Sequence, residues 1–246
     1  MNTRRRGIYL LPNLFTTSAL FFGFYAIIAA INARYEAAAI AMFVAMVLDG
    51  MDGRIARMTN TQSDFGEQYD SLADLISFGL APSLVMYQWS LYGLGKLGWL
   101  AAFVYVAATA LRLARFNTQA AVDDKQFFQG LPSPAAAALI AGFIWLGDAN
   151  GHYDGTNLLW LTFPLTIIAG LLMVSNVRYH SFKQFDLKGR VSFMYMLALV
   201  LVLVLIALRP SVVLFVLAFI YALSGPVMTL LLIRRHRAKR RMSEGS

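Results

Sequence analysis

The chain has 246 residues, of which 59% are hydrophobic and only 14% charged. Soluble domains carry about 25% charged residues, so this composition excludes a soluble enzyme, a disordered chain and a collagen-like fibre. It predicts an all-α, polytopic membrane helical bundle, and the net charge of +8 is then read through the positive-inside rule, with no nucleic-acid partner implied.

About eight transmembrane helices are predicted in chain order. The first, over 10–31, follows Arg4, Arg5 and Arg6. Its apolar run is too long for the h-region of a signal peptide and contains Pro12 and Asn13, so it is read as a retained helix. The second covers 36–58. A short polar loop, Thr59–Phe65, leads to the third, over 69–92, and the fourth covers 97–117. The fifth (132–147) and sixth (157–174) are short and Pro-flanked, which predicts tilted, broken or partly re-entrant segments. The turn-rich stretch Gly147–Thr156 is an outside loop. The seventh and eighth cover 191–207 and 211–233, and 234–246 is a basic tail. No repeat or low-complexity linker interrupts the chain, so residues 1–246 form a single membrane-embedded domain.

Eight spans put both termini on one side, and the basic residues choose which. Arg4–Arg6, Arg54, Arg57, Arg112, Arg115, Lys125, Arg178, Lys183, Lys188, Arg190 and the tail cations from Arg234 to Arg241 share a side, predicted to be cytoplasmic. Of the 21 basic residues only Arg34, Lys96 and Arg209 fall on the other. The tail either sets topology alone or also attracts anionic headgroups.

Cysteine is absent, and His152, His180 and His236 are scattered. Any metal is therefore held by oxygen, which favours magnesium, manganese or calcium. Four of the 13 acidic residues lie within or at the ends of spans two and three: Asp49, Asp52, Asp70 and Asp74. Ionisable groups at membrane depth are expensive and mark functional sites. Asp49 and Asp52 are spaced i, i+3, and Asp70 and Asp74 i, i+4, so each pair shares a helix face. Asp49 lies 13 residues beyond Glu36, about 20 Å along a helix, which brings both pairs to a similar depth near the cytoplasmic end. Four converging carboxylates repel one another, and two divalent cations would cancel their charge and form a clamp for displacement at phosphorus. Gly50, Gly53, Ala56 and Gly66 interleave the acids, either to admit a bulky ligand or to pack helices closely. Arg54 and Arg57 either face a diphosphate or snorkel at the membrane edge.

Together these residues read Asp49-Gly-Met-Asp52-Gly53-Arg-Ile-Ala56-Arg57, eight residues, Gly66, three residues, Asp70, three residues, Asp74. This matches every defined position of the signature D-x-x-D-G-x-x-A-R-x8-G-x3-D-x3-D and resembles the CDP-alcohol phosphotransferase family. The segment Leu11-Pro12-Asn13-Leu14-Phe15-Thr16-Thr17 resembles that family's P-N-x-x-T stretch near the nucleotide. Three further segments resemble its bacterial, integral-membrane phosphatidylserine synthase branch: Arg112-Leu-Ala-Arg115-Phe116-Asn117, Phe128-Gln129-Gly130-Leu131-Pro132-Ser133-Pro134 and Ser175-Asn176-Val177-Arg178-Tyr179.

The resemblance implies a helical membrane bundle with a six-span core, usually dimeric and open to the cytoplasm of a bacterial inner membrane. It implies Mg2+ or Mn2+, two per site, on Asp49, Asp52, Asp70 and Asp74, with Asp70 and Asp74 catalytic and Asp74 the general base. Asn13, Thr16, Thr17, Asp52, Gly53, Ala56, Arg57 and Gly66 would bind CDP-diacylglycerol. The implied reaction moves a phosphatidyl group to the L-serine hydroxyl, giving phosphatidylserine and CMP. A zwitterionic acceptor needs a carboxylate site: Arg112 and Arg115, i, i+3 on span four, with Asn117, Gln129 and Ser133, are its candidates. Arg112 and Arg115 as a topological pair, and Arg178 as a headgroup contact or a structural residue, remain open readings. Glycerol 3-phosphate, inositol phosphate and choline are alternative acceptors. Choline would call for an aromatic cage, for which Phe116, Phe127, Phe128 and Tyr179 are available. Carboxylates and broken helices also occur in ion-coupled transporters, but their sites lie near the bilayer midplane, whereas these acids group toward one surface.

Overall fold

A computed structural model describes residues 3–59, 61–119, 127–149, 155–180 and 193–243. Lys125, His152, Lys183, Lys188 and Arg190 lie outside the described residues, as do half of the Gly147–Thr156 loop and the last residues of the tail.

Helix α1 runs Thr3–Ile31 and α2 Tyr35–Thr59, joined by a turn in which Ala33 takes φ 55°. The two pair closely because their facing residues are small: Ala19, Ala26, Ala29 and Ala30 are buried, as are Ala38, Ala39, Ala41 and Ala45. Pro12 lies inside α1 rather than at its start.

The third span is more complex than predicted. Helix α3 starts at Asp64, five residues before the expected boundary, and ends at Asp74. Its start is set by Ser63, whose extended backbone and side-chain oxygen cap the Gly66 N–H at 3.1 Å. A π-helical turn, Leu75–Leu80, then leads directly into α4, Ala81–Trp89. The turn presses on its neighbours: Ser77 donates to the Ala19 carbonyl at 3.2 Å, and Tyr105 donates to the Phe78 carbonyl at 3.2 Å. Gly23 of α1 lies against Ser77, where a Cβ would stand 2.8 Å from the Ser77 Cα, too close for any side chain. A π turn immediately after Asp74 fixes how the α3 carboxylates face α2.

Helix α5, Lys96–Gln119, leads to the short strand β1, Phe127–Gln129. Helices α6 (Ser133–Ala149) and α7 (Leu159–Val174) follow, then strand β2 (Arg178–His180), α8 (Phe193–Leu208) and α9 (Pro210–Ser243). Of the tilted, broken or re-entrant forms expected of the fifth span, the broken one is not seen. Helix α6 is continuous, and its 17 residues span only about 25 Å. It tolerates that length because it is the centre of the bundle: Ala136, Ala137, Leu139, Ile140, Ala141 and Ile144 are all buried. The sixth span likewise runs through Pro164 without ending.

β1 and β2 pair antiparallel, with Phe128 opposite Tyr179 and Gln129 opposite Arg178. The ribbon joins two of the three segments singled out in the sequence. Gly130 turns the chain out of it at φ 76°, with its N–H on the Val177 carbonyl at 2.8 Å. Any Cβ there would also collide with the Met173 carbonyl, so both backbone and space require glycine.

Large apolar side chains point outward, among them Phe21, Phe24, Phe103, Leu111, Trp160 and nearly the whole of α8. A surface of this kind is stable only against lipid. Among the described residues, four stretches are long and apolar enough to cross a bilayer: Leu11–Ile31, Lys96–Thr118, Gly155–Val174 and Pro210–Leu231. Ser133–Ala149 and Met196–Leu208 are shorter apolar helices. The other two predicted spans, α2 and the α3–α4 unit, are those that carry the carboxylates. The chain is a multi-pass helical membrane protein.

Candidate active site

The site is built at one end of the α2–α3 hairpin. Asp49, Asp70 and Asp74 each offer a carboxylate oxygen, and these oxygens lie within 4.8 Å of one another. Asp74 lies in electrostatic range of Asp49, and Asp70 in range of Asp49 and Asp52. Asp52 stands outside the triplet and is buried, its Oδ2 accepting from the Thr16 hydroxyl at 2.7 Å. Oδ1 of Asp70 and Oδ1 of Asp74 are buried without a hydrogen-bond donor among the described residues. Buried oxygens left in this way are costly unless a cation takes them. Three close oxygens of a hard type suit a divalent cation.

A cavity of about 430 Å3 opens beside these acids. Seven of the eight residues expected to bind the donor line it: Asn13, Thr16, Asp52, Gly53, Ala56, Arg57 and Gly66. The eighth, Thr17, instead shares a 2.9 Å hydrogen bond with Tyr69 of α3. Asp64, Glu67 and Asp70 also line the cavity, so among the described residues Arg57 is its one cationic lining group against four carboxylates. Such a pocket repels a diphosphate unless cations are added. Close helix packing does not account for the α2 glycines. A Cβ on Gly50 would meet nothing within 4 Å, and one on Gly53 only the Arg57 guanidinium at 3.7 Å. Gly66 differs, since its Cβ would press on Ser63 Oγ at 3.2 Å and lie 3.5 Å from Asn13 Oδ1. Arg54 is exposed and does not line the cavity.

The candidate acceptor residues separate into two groups. Arg112 Nη1 donates to the buried Ser133 hydroxyl at 2.9 Å, and Arg112 lies in electrostatic range of Asp74. Its Nε is buried without an acceptor among the described residues. These two residues, 21 apart in sequence, therefore form one polar pair on the Asp74 side of the cluster. The others lie around it. Arg115 reaches Asn176 at 3.5 Å, Asn117 braces Ser71 of α3 at 3.0 Å, and Gln129 is exposed on β1 opposite Arg178. Of the aromatic residues available for a choline cage, Tyr179 is fully buried and bonded to the Ala222 carbonyl at 2.9 Å, away from such a role.

Sequence reading missed Tyr69, Ser71, Tyr105 and Tyr221. Ser71 lies between Asp70 and Asp74 on α3, so its spacing was available as a signal. Tyr105 and Tyr221, both in electrostatic range of Arg112, come from distant helices and carried none.

The sequence model of the CDP-alcohol phosphatidyltransferase family matches residues 9–168. That stretch runs from α1 into α7 and so takes in six of the eight spans, with every carboxylate of the cluster inside it. A Helicobacter pylori protein named CDP-diacylglycerol–serine O-phosphatidyltransferase is 38% identical over 229 residues, covering 92% of this chain and 93% of its own. Proteins of the same name from Mycobacterium tuberculosis and Bacillus subtilis are 36% and 31% identical. They cover 70% and 71% of this chain and 62% and 92% of their own. With the signature on α2 and α3, the carboxylate cluster it builds and relatives along almost the whole length, the chain belongs to the CDP-alcohol phosphatidyltransferase family.

Proposed function

We propose that this chain transfers the phosphatidyl group of CDP-diacylglycerol to the hydroxyl of L-serine, releasing CMP and leaving phosphatidylserine in the bilayer. The observation that carries the reading is the grouping of three features: the carboxylate triplet, the cavity beside Arg57, and the Arg112–Ser133 pair in electrostatic range of Asp74. The relatives' printed activity agrees with it.

The donor's acyl chains stay in lipid while its diphosphate enters the cavity. Arg57 binds a phosphate there, Thr16 holds Asp52 in register, and the small Gly53 and Ala56 leave room for the nucleotide. Asp49, Asp70 and Asp74 would hold Mg2+ or Mn2+, with Asp52 completing a second position. A divalent cation at these oxygens supplies neutralisation of the diphosphate and of the departing CMP. Arg112 and Ser133 take the acceptor's carboxylate and aim its hydroxyl at the phosphorus that carries diacylglycerol. The new O–P bond forms as the bond to CMP breaks, CMP leaves with that electron pair, and Asp74 receives the hydroxyl proton. General bases contribute about 10²–10⁴-fold. The pocket favours serine over choline because a buried guanidinium repels a quaternary ammonium and attracts a carboxylate.

The test uses purified chain in detergent with CDP-diacylglycerol and manganese or magnesium. CMP release is followed with serine, glycerol 3-phosphate, inositol 1-phosphate or choline supplied separately. Serine-dependent release that stops with chelator is the expected result. Release with a different acceptor overturns the serine pocket and keeps the donor site. No release with any acceptor, from folded protein, returns the transporter reading.

The remaining elements of the proposal are one domain over 1–246, a homodimer, and a bacterial inner membrane with termini and site facing the cytoplasm. They rest on the family resemblance and on the cations gathered at the site end. The native chain has no cysteine, so single cysteines report topology directly. Gln62→Cys is expected to react with an impermeant maleimide only in inside-out vesicles, and Arg209→Cys only in right-side-out cells. The reverse pattern would invert the orientation.

A further inference from the structure

Helix α9 lies beyond the stretch that the family matches, which stops at residue 168 in α7. It nevertheless reaches the acceptor end of the site. Tyr179 of β2 is fully buried, and its hydroxyl donates to the Ala222 carbonyl at 2.9 Å. Its ring sits over Gly225, where even a Cβ would collide with it. Ala222 and Gly225 are i, i+3, so they form one notch on α9 that the Tyr179 ring fills. The Tyr221 ring lies 5.6 Å from the Tyr179 ring, centroid to centroid, and its phenol is in electrostatic range of Arg112.

The partner strand serves the other side of the same pocket. β1 leads through Gly130 and Leu131, both bonded to backbone of the α7–β2 region, into Ser133, which holds Arg112. The ribbon therefore ties Ser133, through β1, to the α9 notch that Tyr179 of β2 fills.

We propose that Tyr179, seated in the Ala222–Gly225 notch of α9, is the positioning residue that anchors the β1–β2 ribbon and so sets Ser133 and Arg112 for the acceptor. The inference rests on reading Arg112 as the acceptor site, and it assigns acceptor selectivity to a helix outside the family-matched region. Donor binding and the carboxylates are built from α1 to α3 and do not depend on the notch.

The experiment measures steady-state constants for both substrates on the full chain in detergent, for wild type, Gly225→Ala and Tyr179→Phe. Gly225→Ala displaces the ring, and its serine KM should rise at least about fivefold while the CDP-diacylglycerol KM stays within about twofold. Tyr179→Phe keeps the ring but loses the Ala222 bond, and its serine KM should rise less, in the same direction. It also serves if Gly225→Ala does not fold. An unchanged serine KM in the folded variants, or parallel rises in both KM values with a falling kcat, overturns the inference. If wild type turns over another acceptor and not serine, the proposed function fails separately, and the same split read with that acceptor decides the role of α9.

Discussion

Asp74→Asn is expected to lower serine-dependent CMP release by about 10³-fold or more while leaving the protein folded. Asp70→Asn should behave in the same way. The substitution is close to isosteric, so packing around α3 is kept, and what changes is charge and proton affinity. In the metal-free protein the effect on stability should run opposite to the effect on activity. Asp49, Asp70 and Asp74 hold oxygens within 4.8 Å of one another, and removing one negative charge relieves repulsion. The metal-free variant should therefore melt no lower than wild type in detergent. Wild type should gain stability as manganese or magnesium is added, because binding to the native state alone shifts unfolding. The variant should lose most of that gain. Substantial residual turnover, or an undiminished metal-dependent rise in Tm, would remove Asp74 from the metal and base roles together.

The variant matters because the carboxylate set was legible in sequence, whereas its surroundings were not. The i, i+3 and i, i+4 spacings put each acidic pair on one face, and the hairpin brought the faces together. Of the residues that the resemblance assigned to the donor, seven line one cavity, five from the signature on α2 and α3 and two from the Pro12–Thr17 segment of α1. The start of α3 was not legible, since Asp64-Phe-Gly-Glu-Gln-Tyr reads as a polar loop until Ser63 is recognised as a cap. The π turn leaves no hydrophobic signature, because all six of its residues, Leu75–Leu80, are compatible with an ordinary apolar helix. The shortness of α6 suggested a break, yet a helix enclosed by other helices need not match the bilayer. The pairing of β1 with β2 joins residues about fifty apart through one short backbone ladder, which no local pattern encodes. Arg112 and Ser133 were both suspected at the acceptor site, but their contact was not, because it brings the start of α6 to α5 only through the tertiary fold. Tyr221, on α9, carried no local signal either.

That contact gives the second large effect. Arg112→Ala is expected to raise the serine KM by about 30-fold to 100-fold, with the CDP-diacylglycerol KM changed by no more than about threefold. Charge-assisted hydrogen bonds of a buried guanidinium contribute roughly 2–3 kcal/mol, which corresponds to that range at about 1.4 kcal/mol per tenfold. The donor's diphosphate is assigned to Arg57 and the carboxylates, so its binding should be indifferent to Arg112. Arg112→Lys discriminates further. An ammonium keeps the charge near Asp74 but cannot hold Ser133 and a carboxylate through one planar fork. Partial recovery of kcat with a serine KM still raised at least about tenfold is therefore expected. Arg112 also touches the base through charge, which makes a kcat loss in Arg112→Ala expected but uninformative alone. The ratio of the two KM effects carries the decision. Equal rises for serine and donor would make Arg112 a general structural cation of the site, and the acceptor carboxylate would then have to be sought at Arg115 and Asn176 near the mouth of the ribbon.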